Sequence, residues 1–208
     1  MEALSTISIA LGSAWTSGIN LYATVAVLGL LQKFGATRLP GGLEALDNWL
    51  IIGAAVFLYL IEFFADKFPY VDSVWDVVHT FIRVPAGAIV AYAAVSDLDP
   101  SISVTAALLG GGIAFSSHGS KAAARIVANL SPEPISNWVL SLAEDAIAIF
   151  GTIAAVFAPI LLLAILVVFL LFFVWFSRRI FRAIRRLLVA AAAFIRGESF
   201  AEVARKAG

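Results

Sequence analysis

Residues Glu62 to Pro85 read EFFADKFPYVDSVWDVVHTFIRVP, and they crowd Glu62, Asp66, Lys67, Asp72, Asp76, His79 and Arg83 between long apolar segments. On a helix over residues 70 to 84, Asp72, Asp76, His79 and Arg83 follow at spacings of four, three and four. They share one face, while Val74, Val77, Val78 and Phe81 fall largely on the others. Ionisable side chains at membrane depth are costly and usually turn toward a bundle interior or a watery cavity, which makes this face a candidate functional site. The competing reading is an amphipathic helix lying on the membrane surface with its polar face in water.

The remainder of the chain supplies the membrane. Its 208 residues are 62% hydrophobic and 13% charged, with a mean hydropathy of +0.98, far more apolar than a soluble domain. The formal net charge of zero hides an asymmetry, since Arg178, Arg179, Arg182, Arg185, Arg186, Arg196, Arg205 and Lys206 all lie at the C-terminal end. The absence of cysteine excludes disulfides, thiolate catalysis and Cys-based metal or iron–sulfur sites. Glu2, with no basic residue beside it, precedes the first apolar run, so that run reads as a retained span rather than a signal peptide.

Taken in order, residues 5 to 31 predict a first span interrupted at Ser13, Thr16, Ser17, Gly18 and Asn20. A loop over 32 to 48 leads to a second span, Trp49 to Phe64, which Pro69 stops. The amphipathic segment follows, Pro85 opens a third span to about Val95, and the acidic turn Ser96 to Pro100 closes it. A fourth run from Ser101 is interrupted by Gly110, Gly111, Gly112, Ser116, Ser117, His118, Gly119 and Ser120, before KAAARIVANL and the loop SPEPIS. Trp138 to Phe176 suits two spans with a turn near Ala158-Pro159, the alternative being one helix kinked at Pro159. Beyond Ser177, RRIFRAIRRLLVAAAAFIRG describes a basic amphipathic helix on an anionic leaflet. The expected architecture is therefore all-α and polytopic, with five or six spans over 1–177, two interrupted helices and a tail over 178–208. The positive-inside rule puts the tail and the Lys67 loop in the cytoplasm and the Asp97 turn outside, in a bacterial inner membrane.

Two fragments recur in the same order. Ala14-Trp15-Thr16-Ser17 with Gly18 resembles Ala114-Phe115-Ser116-Ser117 with Gly119, and Asn48-Trp49-Leu50 resembles Asn137-Trp138-Val139. With three spans per half, 5–97 and 101–177 would form an inverted repeat. The blocks GSAWTSGINLY, ADKFPYVDSVWDVVHTFIRVPAGA and HGSKAAAR resemble those of an uncharacterised bacterial membrane family, domain of unknown function 4126, over roughly residues 5 to 160. The resemblance implies a membrane protein and carries no activity, substrate or cofactor with it.

Interrupted spans in matching positions point to a midplane binding site, because a broken helix offers free N–H groups to an anion and free carbonyls to a cation. Gly18 and Asn20 in one half and Gly119, Ser120 and Lys121 in the other would line it, unless the small residues serve only close helix packing. Glu144 and Asp145 sit only roughly 10 Å inside the span that starts at Trp138, at 1.5 Å per residue, and, being adjacent, point about 100° apart, which argues against one shared ligand. His118 by itself reads as a polar contact. His79 beside Asp72 and Asp76 is the candidate proton carrier, because neighbouring carboxylates favour an imidazolium. Asp72, Asp76 and His79 are an incomplete metal-ligand set, and no cofactor is expected.

Asp72 and Asp76 also resemble the Asp-x-x-x-Asp pair of CDP-alcohol phosphotransferases, but the upstream Asp-Gly pattern of those enzymes is missing: Lys67, Phe68, Pro69 and Tyr70 stand there. Nothing matches a Walker A loop, a HExxH helix or a GxSxG elbow, so the chain reads as no enzyme. The expected function is a small secondary transporter or lipid flippase. Lys121, Arg125 and Arg83 favour an anionic solute or a phosphate-bearing headgroup as its cargo. The alternatives are an accessory membrane subunit and, less favoured, a lipid-modifying enzyme. Expected partners are the bilayer, with anionic lipid at the tail, and a second copy of the chain, but no nucleic acid.

Overall fold

A computed structural model describes residues 2–129 and 134–195. Among them there is no strand, and the elements are α1 (Glu2–Lys33), a 3-10 helix (Gly41–Asp47), α2 (Trp49–Ala65), α3 (Pro69–Ala94), α4 (Pro100–Asn129), α5 (Pro134–Phe157) and α6 (Pro159–Ile195). Helices α1, α3, α4, α5 and α6 are long and apolar enough to cross a membrane; α2 passes the same test together with the 3-10 helix, from which it bends by 78°. The chain is an all-α, multi-pass membrane protein.

The chain divides into two compact units, one up to Val167 and one from Val168. In the first, α1 is the central helix, packed against α2, α3, α4 and α5. It is broken where the sequence predicts. Asn20 is extended (φ −146°, ψ 100°) and caps the second half of the helix: Ala23 N–H donates to Asn20 Oδ1 at 3.0 Å and Thr24 Oγ1 donates to Asn20 O at 2.9 Å. Ile9, Ala10 and Leu28 of α1 join Leu39, Leu43, Val90, Ala94 and Val156 in an apolar core. Leu50, Val74, Phe81, Leu108 and Phe150 face outward, as spans surrounded by lipid require.

The second expected break is absent. Helix α4 runs continuously through Gly110–Gly112 and Ser116–Ser120. In this helix Gly110 serves close packing instead: a Cβ there would overlap Ala91 Cβ and stand 2.7 Å from Gly87 O on α3. Its serines satisfy themselves, Ser116 Oγ donating to Ile113 O at 2.7 Å and Ser120 Oγ to Ser116 O at 2.8 Å. The expected span boundary at Pro85 is corrected too, because α3 is one helix from Pro69 to Ala94 with Pro85 inside it. A single missing N–H is tolerated where helices pack on both sides. At the start of α4, Ser101 donates its hydroxyl and its N–H to Asp99, which holds that carboxyl below its ordinary range.

The expected turn between α5 and α6 is one residue, Ala158, with helical hydrogen bonds on either side: Ala158 N–H donates to Ala154 O at 2.9 Å and Leu162 N–H to Ala158 O at 3.0 Å. The two helices are thus separated by a one-residue break before Pro159, and each is long and apolar enough to cross a membrane. Residues 131–133 of the expected SPEPIS loop lie outside the described residues, and from Pro134 that segment is already helix. The second unit is helical to Ile195, with Phe172 stacked on Phe176 and the Arg179 guanidinium 4.5 Å from the Trp175 ring. Arg196, Arg205 and Lys206 of the expected tail lie outside the described residues.

Candidate functional site

The end of α2, the first half of α3, the later turns of α4 and the first half of α5 meet beside the α1 break, and each contributes charge. Glu62, Asp66, Asp76, Arg83, Lys121, Arg125, Glu144 and Asp145 are all buried, Arg83 and Glu62 to 0% exposure. The alternative of a polar face in surface water is excluded for α3: Asp76, His79 and Arg83 are 6%, 2% and 0% exposed. The side chain of Asp72 lies outside the described ones.

Lys121 is the hub. Its Nζ lies 3.3 Å from Glu62 Oε1, 3.3 Å from Asp66 Oδ2, 3.7 Å from Glu144 Oε2 and 3.9 Å from Asp76 Oδ1, and it donates at 3.4 Å to Ile19 O beside the helix break. An ammonium has three protons, so this one is oversubscribed and close to none of its acceptors. Arg125 is held more tightly. Its Nη2 donates to Glu144 Oε2 at 2.6 Å and Asp66 Oδ2 at 2.9 Å, Nε to Glu144 Oε2 at 3.1 Å, and Nη1 to Asp66 O at 2.9 Å. Arg83 pairs through Nη2 with Glu62 Oε1 and through Nη1 with Asp76 Oδ1 at 3.4 Å.

Acid exceeds base in this cluster. Among the described residues, the carboxylates of Glu62, Asp66, Asp76, Glu144 and Asp145 are buried with only Arg83, Lys121 and Arg125 as buried cations. Glu62 Oε2, Asp66 Oδ1 and Asp145 Oδ2 are buried oxygens without a hydrogen-bond partner, an arrangement expensive in a low-dielectric interior. Lys67 stands at the rim, its Nζ 3.2 Å from the Phe63 ring centroid and 5.7 Å from that of Trp138. Burial there pushes its ammonium below the ordinary value, against the opposing pull of Asp145 and Asp66.

The structure re-pairs the sequence candidates. His79 does not bond Asp76. Its Nδ1 lies 2.8 Å from Trp75 O, its Nε2 lies 3.1 Å from the Tyr22 hydroxyl, and its ring stacks on Trp75. His118, a lone polar contact in the sequence, instead bridges Arg83 Nη1 at 3.1 Å and Thr80 Oγ1 at 2.8 Å. Asn20 Nδ2 donates to Asp145 Oδ1 at 2.9 Å, whereas Glu144 turns to Arg125, so the adjacent acids serve different partners as their helical angle predicts. Gly18 is taken up in helix packing, and Gly119 borders open space. A Cβ on Gly18 would overlap Ser117 Oγ and Ala114 O, a packing contact, and one on Gly119 would meet nothing within 4 Å. Ser120 is engaged with its own helix. Sequence reasoning missed Tyr22 and Thr80. The signal for Thr80 was its place four residues after Asp76, one turn along the same face.

A family model described as "Domain of unknown function (DUF4126)" matches residues 7–179, and the chain belongs to that family. No curated protein and no solved structure matches it.

Proposed function

We propose that this member of the DUF4126 family is a small secondary transporter, in which the buried charge cluster couples proton movement to the passage of an anionic solute or a phosphate-bearing lipid headgroup. The observation that carries this reading is the Lys121 ammonium, shared among four carboxylates and the carbonyl beside a broken helix. A passive scaffold gains nothing from so many desolvated charges, and intramembrane ionisable clusters mark ion and substrate pathways. In this state each buried cation is occupied by carboxylates, so an anion enters only after a carboxylate is released. Neutralising Asp66 loosens its hold on Lys121 and Arg125, and neutralising Glu62 its hold on Lys121 and Arg83, which frees N–H groups for the incoming oxyanion. One fragment pair of the inverted-repeat reading meets in space, with Gly18 of α1 against Ala114 and Ser117 of α4. The basic tail supports a cytoplasmic C-terminus in a bacterial inner membrane, with anionic lipid as its partner.

The test is reconstitution of the full chain into liposomes under a pH gradient, reading proton flux as inorganic phosphate, glycerol phosphate or small carboxylates are supplied. Wild type is expected to pass protons with at least one of these anions, and Lys121→Met to lose that flux while remaining folded. Flux no faster than in protein-free liposomes with every anion, or equal flux from Lys121→Met, would overturn the proposal.

A further inference from the structure

Hydrogen-bond direction around His118 can be settled atom by atom. Arg83 Nη1 has only protons to offer, so the His118 Nδ1 that faces it at 3.1 Å must accept and carries no proton. Thr80 Oγ1 gives its own proton to Asp76 O, at 3.0 Å. The His118 Nε2 at 2.8 Å from the same hydroxyl is therefore the donor. The chain is continuous: guanidinium to imidazole, imidazole to hydroxyl, hydroxyl to helix carbonyl. His118 is thus a neutral imidazole, protonated on Nε2 alone.

The other histidine differs. With His79 Nδ1–H donating to Trp75 O, its Nε2 faces a tyrosine hydroxyl, which accepts or donates by turning. His79 can gain a proton and keep both partners. His118 cannot, because a second proton on Nδ1 would point at the Arg83 N–H and place two cations together in a buried site. The charged groups facing His118 are Arg83 and Asp76 from α3 and Lys121 on its own helix, with Glu62 of α2 on the other side of Arg83.

We propose that His118 is the proton-binding switch of the cluster, and that proton uptake at its Nδ1 transfers Asp76 from Arg83 to the imidazolium. The inference rests on the transport reading for its purpose, not for its geometry. The balance is simple. A proton from bulk water adds to the Nδ1 lone pair, the hydrogen bond from Arg83 Nη1 to Nδ1 breaks, and the new Nδ1–H takes Asp76 Oδ1, which Arg83 holds only at 3.4 Å. Arg83 keeps Glu62 through Nη2, and its Nη1 side becomes free to receive an oxyanion. Lys121, 3.9 Å from the same Asp76 oxygen, loses one of its four carboxylates in the exchange. Proton binding and anion binding are then linked through one shared carboxylate, giving cotransport in the same direction.

The experiment uses the full chain, labelled with ¹⁵N-histidine, in lipid nanodiscs. The two histidines are Nos. 79 and 118 of the sequence, and His79→Gln assigns the signals. At pH 8 the His118 ring should show an unprotonated Nδ1 and a protonated Nε2, and acidification should add a proton at Nδ1. Arg83→Met should raise the imidazolium fraction at a given pH by about tenfold or more, and Asp76→Asn should lower it by as much, the effect of one adjacent charge. An Nδ1–H tautomer at pH 8, or a His118 titration indifferent to both substitutions, overturns the switch. The same preparations in liposomes separate the two proposals. A His118 that titrates as described without proton flux refutes transport and leaves the switch standing, whereas flux with a silent His118 does the reverse.

Discussion

Replacing Arg125 by Met and Glu144 by Gln should have very unequal costs, although the two residues are partners. Arg125 makes hydrogen bonds to both Glu144 oxygens, to Asp66 Oδ2 and to Asp66 O. Arg125→Met strands two buried carboxylates, with the loosely held Lys121 as their closest remaining buried cation among the described residues, and enlarges the excess of acid found there. Breaking a buried pair from one side costs about 3–5 kcal/mol. Glu144→Gln works in the other direction. The amide keeps an acceptor for the guanidinium and removes one negative charge from the excess, so the loss should be at most about 1–1.5 kcal/mol, that of a weakened hydrogen bond. The double variant should recover about 1–3 kcal/mol relative to the sum of the singles, since the stranded carboxylate is then neutral. Reversible unfolding in mixed micelles, followed by tryptophan fluorescence, measures all three. A Glu144→Gln loss equal to or greater than that of Arg125→Met, or strict additivity, would refute the argument that acid is in excess here.

Two further outcomes follow from the packing and the topology. Gly110→Val should destabilise by about 1–3 kcal/mol through overpacking against Ala91 and Gly87, whereas Gly112→Ala, whose Cβ meets nothing within 4 Å, should leave the unfolding midpoint within error. In this cysteine-free chain, single cysteines beside Lys67 and beyond Arg178 should label from the cytoplasm and one at Asp97 from outside; cytoplasmic labelling at Asp97 would break the proposed orientation.

Membrane spans were legible in the sequence because apolar length is a local, additive property: the runs from Trp49, from Ser101 and from Trp138 needed no tertiary context to be recognised. The break at Asn20 was legible for a related reason, since a polar residue that caps a helix acts within four residues of itself. The glycines and serines of α4 misled because composition does not distinguish a helix that breaks from one that lets a neighbour approach; Gly87 and Ala91 on α3 decided between them. Pro85 misled likewise, because packing on α3 carried the helix past it. The charged residues were identified from sequence and their partners were not. Spacing on α3 suggested Asp76 with His79, yet Arg83 took Asp76, Tyr22 took His79, and His118 joined Arg83 across 35 residues. Such pairing depends on distances of a few ångström between different helices, and Coulomb and hydrogen-bond energies in a low-dielectric interior change steeply over that range. Residue types and helical faces were therefore fixed locally, while which carboxylate holds which cation was decided only when α2, α3, α4 and α5 came together.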